Sequence, residues 1–107
     1  MEKFLNQIAR MVISLHEEGY NDDFKRYGMD QLWGVQENRL YTFGEININK
    51  ICPTQDHHGN AGKIILAIET ADGCKGLFIA TSMNSSFIRR MNKAGKHNNF
   101  PVFAELE

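Results

Sequence analysis

Lys63-Ile64-Ile65-Leu66-Ala67-Ile68-Glu69-Thr70, then Ala71-Asp72-Gly73-Cys74, then Lys75-Gly76-Leu77-Phe78-Ile79-Ala80, is the stretch that decides the fold. Asp-Gly between two apolar runs is the strongest short-range hairpin signal, because glycine takes the positive φ that tight hairpin turns need. The first run sets Ile64, Leu66 and Ile68 on one side and Ile65 and Ala67 on the other. A strand apolar on both sides belongs where both faces are covered, in the middle of a sheet.

Upstream, Cys52 to Gly62 carries a proline, two glycines and no apolar pattern, and so predicts a loop. At roughly ten residues it exceeds the usual connection of ~4–6, which marks it as a candidate functional loop. In Glu45 to Ile51, Ile46 and Ile48 alternate with Asn47 and Asn49, the pattern of a strand wet on one face. Ile51 falls out of phase, which predicts a bulge or a strand end near Lys50. Arg39 to Phe43 and Gln31 to Val35 suit two more strands, with Gln36-Glu37-Asn38 as the turn between them. Phe4, Ile8, Met11, Val12 and Leu15 line one face of a helix over Glu2 to Glu18, and Gly19 stops it. Asn21-Asp22-Asp23 reads as a polar turn between Tyr20 and Phe24.

Downstream, a second helix is expected after Ser82, with Phe87, Ile88 and Met91 as its apolar stripe and Gly95 as its end. The tail Phe100 to Leu106 is apolar enough to need cover, but Pro101 confines it to a sheet edge or a partner. Together these elements predict one α+β domain over residues 1–107. Its mainly antiparallel sheet has four or five strands, with both helices packed on one face. Whatever part of the other face the middle segment leaves open, a second subunit in a symmetric homodimer would cover.

Composition narrows the function. The net charge of −1 lacks the basic excess of a protein held to nucleic acid by bulk electrostatics, so a nucleic-acid partner is not expected. No apolar run approaches the ~20 residues of a membrane helix, and no signal-peptide pattern opens the chain. Cys52 and Cys74 stand far apart and read as free, inert thiols rather than a disulfide framework. A cytoplasmic protein without a cofactor is the expectation.

The order of a helix ending Glu18-Gly19-Tyr20, then Asp22-Asp23-Phe24, the strand Ile65-Leu66-Ala67-Ile68, and Asp72-Gly73 before Lys75-Gly76-Leu77-Phe78-Ile79 resembles a group of small bacterial proteins. That group is known chiefly from Bacteroidetes and has no established activity, although some members carry the label of a phosphoribosylpyrophosphate synthetase. The resemblance covers about residues 5 to 80 and implies a fold and a bacterial origin. The synthetase label does not follow. The phosphate-binding stretch of that enzyme has adjacent acidic residues before a Gly/Thr-rich turn, whereas Glu69 and Asp72 are separated and Thr70 precedes the turn.

Four groups of residues could carry chemistry. Asp56, His57 and His58 are the densest set of metal-type ligands and would suit a metal-assisted hydrolase. Adjacent histidines on an extended loop point apart, however, and a solvated loop is the plainer reading. Arg89, Arg90, Lys93 and Lys96 form a basic face on helix 2 that could hold an anion or a phosphate backbone, although cations near a helix C-terminus are ordinary. Trp33 and Tyr41, with Phe43, could form an aromatic ligand platform or simply pack in the core. Glu17, Glu18, Asp22 and Asp23 read as a solvated helix end. No phosphate-binding loop, dinucleotide fingerprint or nucleophile elbow occurs. The function expected from these observations is a non-enzymatic binding or interaction module acting as a homodimer.

Overall fold

A computed structural model describes residues 2–55, 61–81 and 84–94. The order is α1 (Glu2–Glu17), β1 (Asp22–Tyr27), β2 (Gln31–Gly34), β3 (Arg39–Thr42), a 3₁₀ turn (Phe43–Glu45), β4 (Ile46–Gln55), β5 (Ala61–Thr70), β6 (Lys75–Ala80) and α2 (Ser85–Ala94). The expected Ser82 cap, the Gly95 stop and the tail from Phe100 to Leu106 lie outside the described residues, as do the loop residues 56–60.

The hairpin forms as expected. Gly73 takes φ 95° and donates to the Thr70 carbonyl, while the Thr70 amide donates to the Cys74 carbonyl. β5 lies between β4 and β6, antiparallel to both. The irregularity expected near Lys50 is a register shift between Ile48 and Lys50. β4 then runs on through Pro53 to Gln55, so the strand takes in residues that read as loop. A proline is tolerated there because β4 is an edge strand that needs no donor on its outer side.

The expected sheet needs three corrections. It has six strands, in the order β3-β2-β1-β6-β5-β4. It is mixed, because β1 runs parallel to β6 through Asp22–Gly76 and Asp23–Leu77. The two helices also pack on opposite faces. Leu66, Ile68 and Phe78 share one buried core with Phe87, Ile88 and Met91 of α2. Ile65, Ala67 and Leu77 share the other with Leu15, Ile8, Met11 and Val12 of α1. On the second face of the hairpin Ile65, Ala67 and Leu77 are therefore covered by α1 rather than by another subunit, while Ile79 stays 46% exposed.

β3 and β4 form the two edges of the sheet, yet only the 3₁₀ turn separates them in sequence. Six flat strands would hold these edges about 24 Å apart. The backbone from Thr42 to Ile46 reaches only about 15 Å. The sheet must curl until its edges approach, and contacts mark the closure. Ala71 donates its amide to the Glu45 carbonyl at 2.8 Å, and Arg39 of β3 reaches Asp72 in the β5–β6 turn. The curled inner face encloses Phe24, Leu32, Tyr41, Ile48, Leu66 and Phe78, and α2 covers it through Phe87, Ile88 and Met91. No described helix is long and apolar enough to cross a membrane.

Candidate functional site

The outer face of the sheet is covered unevenly. α1 lies over β4, β5 and β6, through Cys52, Ile65, Ala67 and Leu77. No residue of β1, β2 or β3 belongs to the core under α1. Register places their outward side chains. Trp33 stands opposite Lys25 on one side and Leu40 on the other, with Tyr27 diagonal to it across the β1–β2 pair. Tyr27 is 53% and Leu40 40% exposed. With the half-buried Trp33 and the exposed Asn38 they line a groove of about 530 Å³. The Trp33 indole N–H donates to Asn38 Oδ1 at 3.3 Å. Asn38 occupies the turn with φ 50°, a left-handed conformation its short amide tolerates, and this sets its side chain beside the indole.

Trp33 and Tyr41 do not form a shared platform. Tyr41 pairs with Leu32 on the inward side of the sheet and is 1% exposed. A one-residue offset between neighbouring strands sends two side chains to opposite faces, so Trp33 is open to a ligand and Tyr41 is core. Sequence reading missed Tyr27 and Leu40 as partners of Trp33, since their approach depends on strand register.

Tyr41 belongs to a polar cluster at the closing edge. Its hydroxyl meets Asp72 Oδ2 at 3.1 Å and Cys74 Sγ at 3.7 Å. Arg39 Nη1 lies 2.6 Å from Asp72 Oδ2, and the Thr70 hydroxyl donates to Asp72 Oδ1. Burial, the bonds to Cys74 and Asp72, and the nearby Asp72 charge push the Tyr41 phenol far above its usual value. It therefore stays protonated and cannot serve as a general base near neutral pH. The bonds from Thr70 and Tyr41 and the nearby Arg39 charge hold the Asp72 carboxyl below its ordinary range. Near neutral pH an ionised carboxylate bonded to a protonated phenol is a structural tie between β3 and the β5–β6 turn.

Asp22, Glu37 and Cys74 each bring one donor atom within 4.8 Å of the others. Glu37 is exposed and the other two half-exposed, so the set supports no metal assignment. Burial raises the Cys52 thiol, which packs against the outer core under α1, and this fits an inert cysteine. At the end of α1, Glu18 pairs with Lys50 at 2.6 Å, while Asp23 accepts from the Gln36 amide at 2.7 Å. Neither carboxylate is poised for acid–base work.

The expected basic face of α2 divides. Arg90 Nη1 reaches the Met29 carbonyl at 3.4 Å, while Arg89 and Lys93 are exposed on the helix. Lys96 lies outside the described residues, as do Asp56, His57 and His58. Comparison with family models, with curated proteins and with solved structures found no match to this chain.

Proposed function

We propose that this chain is a non-catalytic interaction module that self-associates through the bare half of its outer sheet face. The observation that carries this reading is the groove of Tyr27, Trp33 and Leu40, which leaves large apolar side chains in water on a face that α1 covers only over β4, β5 and part of β6. Contiguous exposed apolar surface on a small protein is the usual mark of a docking site. A second copy fits because none of the four lining residues is charged. The uncharged groove can face its own image across a two-fold axis, with the exposed Lys25 beside Trp33 left at the rim, where water and salt screen its charge. The projecting Tyr27 and Leu40, with half-buried Trp33 between them, offer both ridge and hollow to such a contact. The polar cluster at the closing edge adds support, since its charges serve structure.

Sedimentation velocity from low to high micromolar protein tests this. The expected result is a monomer that converts to a dimer as concentration rises, and a Leu40→Asp variant that remains monomeric. A wild-type protein that stays monomeric throughout contradicts the proposal.

A further inference from the structure

On the inward side of β1, next to Tyr27, two guanidinium groups from different elements share one cavity. Arg26 of β1 lies over the Phe87 ring of α2, its central carbon 4.8 Å from the ring centroid. Its Nε donates to the Gly28 carbonyl at 2.8 Å, and its Nη2 meets Met29 Sδ at 3.3 Å. Arg90 reaches in from α2, and its Nη1 donates to the Met29 carbonyl at 3.4 Å. Arg26, Met29, Ser86, Phe87 and Arg90 line a cavity of about 190 Å³.

Every acceptor these two arginines use is neutral. The salt bridges among the described residues belong to Arg39 and Lys50, so within that set neither Arg26 nor Arg90 is paired with a carboxylate. Two like charges turned into one small space repel, and an anion between them would reverse that energy. The fixed guanidinium fork matches the oxygens of a tetrahedral oxyanion. Ser86 adds a hydroxyl from the first turn of α2, where backbone N–H groups have no partner within the helix. The overall charge of −1 means that any attraction is local to this pocket rather than a property of the whole surface.

We propose that Arg26 and Arg90 form a binding site for a phosphoryl group, with Ser86 as a third donor. The exposed Met29 side chain lines the same cavity and gives a carrier molecule an apolar surface to rest on. The site is separate from the self-association groove. Binding is read at Arg90 whether or not the protein dimerises.

The test is an NMR titration of the labelled full chain with inorganic phosphate, phenyl phosphate and acetate. It follows the side-chain N–H signals of Arg26 and Arg90 and the amide of Ser86. The expected result is saturable binding of phosphate that weakens with added salt and drops about tenfold in an Arg90→Gln variant. A Lys93→Gln variant, altered on the same helix but outside the cavity, should bind as the wild type does. Arg90 makes a single long hydrogen bond, so its replacement leaves the fold intact. Arg26→Gln serves as a second variant once its thermal unfolding confirms folding. Tighter binding of phenyl phosphate than of phosphate assigns a carried ester as the ligand, whereas equal affinity assigns free phosphate, and both support the site. Acetate binding as tightly as phosphate, no saturable shift at Arg90, or an unchanged affinity in Arg90→Gln overturns it.

Discussion

Asp72 does more than make a turn. The Asp-Gly pair was legible as a hairpin signal, and the hairpin follows it. What the sequence could not reveal is that the carboxylate also ties down Arg39 and Tyr41 from a strand more than thirty residues away. Such a pairing depends on the curl of the whole sheet. Removing the hydroxyl in Tyr41→Phe should cost about 1–2 kcal/mol in urea unfolding, since the ring stays packed while the bond to the carboxylate is lost. The acid limb offers a separate check. A carboxyl with a depressed folded pKa stabilises the protein above its ordinary value of about 4, and that contribution disappears as pH falls through the lowered value. The melting temperature of the wild type should therefore fall more steeply below pH ~4 than that of Asp72→Asn. Parallel acid slopes would show that the tie contributes nothing.

Among the elements, α1 and strands β2 to β6 were readable in outline, because each carries large apolar or aromatic residues at the spacing of its element, adjacent or alternate in the strands. β1 was not. Of its six residues only Phe24 is buried, so it offers no alternation and reads as a polar turn. Its place in the sheet is fixed instead by the short parallel contact with β6. Gly76 permits that contact. An added Cβ there would collide with the Asp22 carbonyl. Gly76→Ala should push β1 away from β6 and lower stability by about 1–3 kcal/mol. Gly44→Ala, with open space around the new methyl, should change the unfolding free energy from urea titration by no more than about 0.5 kcal/mol. Equal effects of the two substitutions would remove β1 from its assigned position.

For the molecule as a whole, amphipathic helices announce that they cover something but not which face. The path of the chain decides that, and it sends α1 and α2 to opposite sides of a sheet whose edges are joined by a single short turn. This changes the reasoning about self-association. The apolar second face of the hairpin suggested a partner subunit, but α1 fills that role, and the surface left open is over β1, β2 and β3. Trp33 was recognisable as a candidate. Its groove with Tyr27 and Leu40, and the meeting of Arg26 with Arg90, were not, because each joins residues that only the folded register brings together. Trp33 is the sole tryptophan of the chain, so its fluorescence reports on the groove directly. Its emission should move to shorter wavelength as protein concentration rises, and should stay fixed in Leu40→Asp. Identical wild-type emission at every concentration would contradict burial of the groove by a second copy.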